Sequence, residues 1–297
     1  MNAQAAEALF DPEFLRKLER LELLARKIFR GLVRGEHSTR HRGRGLEFSD
    51  YRRYQSGDDL RYIDWNIFSR LDRLFLKLYA SDEDLTLHLL IDCSASMGFG
   101  EPLKFDYARK LAAALAYIGL NNLDRVGVRA FSAGASVSLP TLKSKQHMAT
   151  LLPFLRRLNC ADTTGFVSAM REFAMRSATP GVVVVITDLL SDDELADGLE
   201  LLRHGNHDVA LVQILSEDEI NPPLEGPFNL VDAEDRSSLK VTVDAGLRQL
   251  YLTRLQAHLE ALEQHCREQG IEYLRASTAI PFEDLVLKYL RRGRQWR

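Results

Sequence analysis

A membrane-length apolar run is missing from this sequence. The longest candidate, "LAAALAYIGL" at 111–120, is about half of the roughly 20 residues a bilayer-spanning helix needs. The opening "MNAQAAEALFDPEF" has neither the basic start nor the apolar centre of a secretory leader. Cysteine is scarce as well. Cys93, Cys160 and Cys266 are the only three in 297 residues and form no CxxC pair, which argues against a disulfide framework and for reduced thiols. No charge sign dominates: 39 Lys+Arg face 42 Asp+Glu, a formal net charge of −3, so global charge points to no nucleic-acid binder. No Gly-Lys-Ser/Thr phosphate loop and no G-x-S-x-G elbow occur, which removes the usual signatures of an NTPase and of a serine hydrolase. The eight histidines are scattered, and His204 with His207 has a turn-like rather than a zinc-like spacing. These absences lead us to expect a soluble, cytoplasmic protein that is not an enzyme and has no membrane span.

What is present is an ordinary globular composition, 45% hydrophobic and 27% charged, in a chain long enough for one large domain with or without a smaller extension. Phe14, Leu18, Leu21, Leu24 and Ile28 recur every three or four positions and predict an amphipathic helix over 14–33. Residues 35–65 are polar and Gly-punctuated. From 74 onward, strand-like runs ("LFLKLY", "LTLHLLI", "RVGVRAF", "GVVVVIT", "DVALVQIL", "IEYLRAS") alternate with helical periods. That alternation predicts a mostly parallel sheet with helices on both faces. "NLVDAED" and "LKVTVD" interrupt it as a small two-stranded excursion at about 227–244. The domain division expected from this pattern is an N-terminal helix and charged extension over 1–73, then the α/β domain over 74–297.

One stretch carries chemistry. In "LLIDCSASMG" (89–98) an apolar strand runs into Asp92, Ser94 and Ser96, followed by Gly98. Residues two apart on an extended chain face the same way. One carboxylate and two hydroxyls at the carboxyl end of a central strand suit a hard divalent cation, Mg²⁺ or Mn²⁺. The plainer reading is a turn whose Asp and Ser cap backbone groups. A second strand, "VVVVITD", also ends in an acid, Asp188, and "NCADTTGF" opens a helix with Thr163 and Thr164. Two neighbouring strand-terminal carboxylates repel each other unless a cation lies between them.

Asp92-x-Ser94-x-Ser96, a later threonine loop and a later strand-terminal Asp188 resemble the metal-ion-dependent adhesion site of von Willebrand factor A domains. The upstream block "EFSDYRRYQSGDDLRYIDWNIFSRLDRLFLKLYASDE" is similar to the domain of unknown function 58 family, whose A-type domain follows such a segment. The resemblance covers about residues 14–215 well and the tail loosely. It implies a von Willebrand factor A-like, Rossmann-like fold and a Mg²⁺ or Mn²⁺ held by Asp92, Ser94, Ser96, Thr164 and Asp188. Thr164 fits the "TGFVSAM" run best, and Thr163 is the fallback, because "CAD" stands where the family often has Gly-Gly. Cys93, inside the motif, is expected to point away as small apolar filling. The resemblance also implies a bacterial protein-interaction role as adaptor or co-chaperone of a MoxR-type AAA+ ATPase, acting on an unidentified client, with a partner carboxylate completing the ion's shell.

Two rival readings remain open from sequence. Asp92 could be the nucleophile of a metal-dependent phosphohydrolase, although Ser94 stands where a second acid is wanted. The stretch 26–53, with nine Lys/Arg against three Asp/Glu, could touch nucleic acid, but few aromatics interleave it and no reading motif is present. The segment from Gly57, Asp58 and Asp59 to Asp64 and Trp65 is expected to be an ion-pair and capping network, with Trp65 either core or an exposed partner anchor.

Overall fold

The computed structural model describes residues 9–33, 47–55, 60–80, 85–133, 136–161, 163–177, 179–189, 195–234 and 236–292. In chain order the elements are α1 (Pro12–Val33), β1 (Glu47–Arg53), α2 (Trp65–Leu71), β2 (Phe75–Ala80), β3 (Thr86–Asp92), α3 (Lys104–Asn121), β4 (Arg125–Phe131), β5 (Ser136–Lys143), α4 (Met148–Arg157), α5 (Phe166–Arg176), β6 (Val182–Thr187), α6 (Leu195–His204), β7 (Asp208–Leu215), α7 (Glu217–Ile220), β8 (Gly226–Val231), β9 (Ser238–Val243), α8 (Ala245–Glu268), β10 (Glu272–Ser277) and α9 (Phe282–Arg292). The chain divides into two compact units, one of residues 1–34 with 85–296, the other of 35–84.

The large unit is a three-layer α/β sandwich around a six-stranded sheet of order β10-β7-β6-β3-β4-β5. All pairings in it are parallel except that of the edge strand β5 with β4. The mostly parallel sheet with helices on both faces is therefore the fold expected from sequence. Strands covered on both faces must be apolar on both, and β3 and β6 show how this is done. Leu87, Leu89, Ile91, Val184 and Ile186 join one core with residues of α1, α3, α4 and α9. Leu90, Val183 and Val185 point the other way, into a core with residues of α5, α6 and α8. After β3 the chain builds outward through β4 and β5, then returns past β3 to lay down β6, β7 and β10 on its other side. The boundary between β3 and β6 is thus the topological switch point, where open α/β sheets form a crevice beyond the carboxyl ends of the strands.

Helix α1 belongs to this unit. Its buried stripe of Phe14, Leu18, Leu21 and Ala25 enters the first core. The Phe14 ring lies 5.3 Å from that of Phe282 in α9. Glu22 accepts a hydrogen bond from the Tyr117 hydroxyl of α3 at 3.2 Å. Arg109, buried on α3, donates to the carbonyls of Leu155, Arg156 and Leu158 and so closes the carboxyl end of α4.

The small unit corrects the expected division. Strand β2 was assigned to the α/β domain, with a boundary at 73/74. It pairs instead with β1 as an antiparallel two-stranded sheet, and the boundary falls at 84/85. Strand β1, "EFSDYRR", has no continuous apolar face, which is why periodicity did not reveal it. Asp64 is the N-cap of α2, accepting from the Asn66 and Ile67 backbone N–H groups at 2.9 and 3.2 Å and from the Tyr51 hydroxyl at 3.0 Å. The capping expected of this segment is thus present at Asp64, and Trp65 is exposed, its ring edge-on to Phe68. Asp58, Asp59, Arg42 and Arg44 lie outside the described residues, as does much of the basic stretch 26–53. No helix among the described residues is long and apolar enough to cross a membrane.

Because α1 closes the first core, Phe14→Ala should lower the unfolding free energy of the chain by about 3–5 kcal/mol, the range for deleting a buried aromatic ring. Urea melts of wild type and variant read this directly. A change near zero would mean that α1 contributes nothing to the stability of the α/β unit.

Candidate metal centre

The register of the two central strands builds the site. Pairing of Leu87 with Val182 through Ile91 with Ile186 sets Asp92 beside Thr187 and one residue short of Asp188. Both acids are buried, Asp92 completely. Asp92 Oδ1 accepts the Ser94 backbone N–H at 2.8 Å, the plain turn bond that its spacing allows, and Oδ2 accepts the Thr187 hydroxyl at 2.7 Å. Ser94 makes no side-chain cap to the short helical turn Ala95–Gly98 that follows. Its Oγ lies 2.9 Å from the Ser96 Oγ instead. The backbone of the loop is tied by Asp92, and the two hydroxyls converge on each other.

Burial pushes the Asp92 carboxyl up to about 7, and the neighbouring Asp188 charge adds to the rise, while the Thr187 and Ser94 hydrogen bonds oppose it. Asp188 is held from outside the motif. Lys104, the fully buried first residue of α3, places its Nζ 2.8 Å from Asp188 Oδ2 and also pairs with Glu219. Glu219 is fixed in turn by a capping box: it accepts the Ser216 N–H at 2.8 Å while its own N–H reaches the Ser216 hydroxyl at 3.2 Å. Leu189, directly after Asp188, has φ +46, a left-handed conformation costly for a leucine. Gln213 Nε2 donates to the carbonyl of Asp188 at 2.8 Å, and the His258 ring nitrogen lies 3.0 Å from the carbonyl of Leu189. These contacts hold the strained turn that aims Asp188.

The threonine loop reaches the same strand ends by backbone bonds, from Ala161 N–H to the Cys93 carbonyl at 2.9 Å and from Ala133 N–H to the Thr163 carbonyl at 2.8 Å. Gly165 makes this approach possible, since a Cβ there would stand 2.6 Å from the Ala133 Cα. Thr163 is exposed and Thr164 is half-buried. Among the described residues Thr164 makes no hydrogen bond to Asp92, Ser94, Ser96 or Asp188. Its hydroxyl and its N–H both go to Glu234, at 2.8 and 3.2 Å. Cys93 is buried in the first core and its thiol is pushed up by burial, as small apolar filling should be.

The residues present fit a hard divalent ion on two counts. The donors are all oxygen. The charge also fits. Asp92, Asp188 and Glu219 against Lys104 leave an excess of two negative charges when all are ionised. Among the described residues no three His, Cys, Asp or Glu side chains gather in a metal cluster, so any ion here would rest on Asp92, Asp188 and hydroxyl oxygens rather than on a three-carboxylate, thiolate or imidazole set.

Lys104, Thr187, Gln213, Glu219 and Glu234 were not singled out from sequence. Two had readable signals. Lys104 extends the apolar spacing of Ala108, Leu111 and Leu115 by one turn, a charged residue on a buried stripe. "SEDE" at 216–219 has the capping-box pattern. Glu234 had none, because its contact spans 70 residues of chain.

The family described as "Protein of unknown function DUF58" matches residues 50–261. The chain belongs to that family. It is 27% identical over 276 residues to an uncharacterized protein of Mycobacterium tuberculosis, covering 90% of this chain and 86% of that one, and an uncharacterized protein of Mycobacterium bovis matches to the same extent. Among solved structures it is similar to an aerotolerance-related membrane protein from Bacteroides fragilis (16% identity, 72% of this chain and 100% of that one, TM-score 0.45). It is also similar to the VWA domain of SpRpn10 (12% identity, 68% of this chain and 93% of that one, TM-score 0.40).

The raised Asp92 value fixes the pH response of the metal-free DUF58 chain. The folded state keeps on Asp92 a proton that the unfolded state releases near the ordinary 3.8. Asp92 therefore favours folding below that value, and this advantage is lost as pH rises through about 7. In EDTA, wild type should lose more stability than Asp92→Asn between about pH 5 and about pH 8, and Mg²⁺ should flatten the wild-type curve. Parallel curves for the two proteins in EDTA would show that Asp92 does not hold this proton.

Proposed function

We propose that this chain is a metal-dependent protein-interaction module, a cytoplasmic adaptor or co-chaperone rather than an enzyme. The observation that carries the reading is the pairing of buried Asp92 and Asp188 with the converging Ser94 and Ser96 hydroxyls at the switch point of the sheet. In this reading Asp92, Ser94, Ser96, Thr164 and Asp188 hold Mg²⁺ or Mn²⁺, and the bound ion supplies a Lewis-acid position for an incoming carboxylate. The chain's own residues determine how electrophilic that position is. Hydroxyls bring no charge, and Lys104 neutralises part of what Asp188 and Glu219 bring. The cluster's two excess negative charges would balance a divalent ion, and its hydroxyl donors would leave room for an acidic side chain of a partner. The partner expected from the family resemblance is a MoxR-type AAA+ ATPase, with a client protein to be found through it.

One observation favours the phosphohydrolase reading: a buried lysine lies next to a strand-terminal acid, as a phosphate-handling site would want. The local geometry weighs against it. Lys104 is paired with both Asp188 and Glu219, so it is not free to grip a phosphoryl group, and Ser94 stands where a second acid is wanted.

Calorimetric titration of Mg²⁺ and Mn²⁺ should show binding by wild type and none by Asp92→Ala. Equal binding by both would remove the site. Affinity for a co-expressed MoxR-type ATPase should fall by about 2–5 kcal/mol in EDTA and in Asp188→Ala, the scale for truncating one partner of a buried charge pair. Undiminished affinity in both would place the adaptor surface elsewhere. Purified protein should hydrolyse neither ATP nor simple phosphate esters, and metal-dependent turnover lost in Asp92→Asn would establish the enzyme reading instead.

A further inference from the structure

Strand β4 buries one face and turns a different chemistry to the other. Val126, Val128 and Ala130 enter the first core. Arg125, Gly127 and Arg129 alternate with them on the opposite face. Gly127 leaves a hollow in that face: a Cβ there would stand 3.4 Å from His88 Nδ1 and 3.7 Å from Thr141 Oγ1. The hollow belongs to a cavity of about 350 Å³ bounded by β3, β4, β5 and the carboxyl end of α5. That volume falls within the roughly 300–1,000 Å³ of small-molecule sites.

The lining is basic. Arg125, Arg129 and Arg176 contribute to it, and no Asp or Glu does. Arg129 and Arg176 both reach Glu172 Oε1, at 3.2 and 2.6 Å, so one carboxylate serves two guanidinium groups. His88 is buried, and its Nε2 lies 3.2 Å from the Thr179 carbonyl. A carbonyl only accepts, so Nε2 carries the proton in that contact. Nδ1, beside the hollow, has no hydrogen-bond partner among the described residues. Burial holds the His88 imidazole below its ordinary value against the Thr179 hydrogen bond, and the charges of His207 and Arg129 lower it further. Two more lining residues, Thr86 and Ser177, hold buried hydroxyls without a hydrogen-bond partner among the described residues. Such groups are rare in a folded protein and call for an explanation.

We propose that this cavity binds a small phosphate monoester, its head group over Gly127 between Arg129 and Arg176. Arginine forks match phosphate oxygens. Guanidinium and hydroxyl donors come from β4, β5 and α5, which suits a tetrahedral head carrying two charges better than a planar carboxylate carrying one. The volume leaves room for the rest of a small molecule. The site is independent of the metal reading, because Thr86 and Arg125 open β3 and β4 whereas Asp92 closes β3.

The test titrates glycerol 3-phosphate into the full chain with isotope-labelled histidine, in EDTA, at about pH 8, where a phosphate monoester is a dianion. The His88 ring resonance, identified by its loss in His88→Gln, should move, and the midpoint of its titration should rise. Glycerol and acetate should leave it unchanged. Gly127→Ala places a methyl group at ordinary contact distance from His88 and Thr141, so it fills the hollow without disturbing the sheet, and should abolish the shift. Arg176, at the exposed end of α5, can be replaced without touching either core, and Arg176→Gln should weaken binding at least about tenfold, the scale of one lost charge-assisted hydrogen bond. A His88 resonance unmoved at about 10 mM, well above a Kd of about 1 mM, would overturn the site. Equal affinity in wild type and both variants would place binding elsewhere and overturn it too. An equal response to acetate would overturn the phosphate class.

Discussion

Three charged groups are buried where β3 and β6 end, Asp92, Asp188 and Lys104, with the partly buried Glu219 beside them. Isolated, any one of them would destabilise the fold, because a buried charge costs several kcal/mol unless it is paired. Together they are compatible with folding only through specific partners. Lys104 spans two acids, Thr187 and the Ser94 backbone stabilise the Asp92 carboxylate, and Glu219 is locked by Ser216. Among the described residues Asp92 is the member with no cation paired to it, and burial, with the Asp188 charge adding, pushes its carboxyl up. The arrangement therefore has two ways to reach balance, a proton on Asp92 or an added positive charge nearby. A core of aliphatic side chains would need neither, so the cluster is better explained by function than by stability.

The sheet supplies the rigidity that such a cluster requires. Parallel strands buried on both faces cannot slip by one residue without turning their core side chains to the opposite layer, so the alignment of Asp92 with Thr187 is determined by the packing of Leu89, Ile91, Val184 and Ile186. The loops beyond the strands are then tied individually. Leu189 is held left-handed by what Gln213 and His258 bind around it, and the Thr164 loop is drawn in by Cys93, Ala133 and the missing side chain of Gly165. Strain at Leu189 is maintained by contacts from two other elements, β7 and α8, which is how backbone strain persists at a site that needs it.

The sequence made much of this visible, for local reasons. The unbroken apolar runs of β3, β6 and β7 and the helical periods of α3 and α9 identify themselves, because burial on both faces or on one stripe leaves a period. Asp92, Ser94, Ser96 and Asp188 were readable for the same reason, since each lies at or just past the end of such a run. The pairing of β2 with β1 was not, because β1 has only Phe48 and Tyr51 among charged and polar residues, on no period-2 face. Lys104 was overlooked because a lysine at the start of a helix usually faces solvent, and only tertiary packing turns it inward. Glu234 was beyond reach: a single acid in a hairpin turn has no local signature, and its partner is fixed by topology alone.

These differences in legibility follow a physical division of the site. The strand-borne half, Asp92 and Asp188 with Thr187 and Lys104, is set by the core and cannot move without disturbing it. The Thr164 loop is joined to Glu234 by hydrogen bonds alone, and no described residue of the β8–β9 hairpin belongs to either core. Local opening is cheapest where buried apolar contacts are fewest, and the Thr164–Glu234 contact has fewer of them than the strand ends. The two parts are stabilised by different forces, apolar burial beneath the strand ends and a few hydrogen bonds at the threonine loop, so the second can open while the first keeps its register.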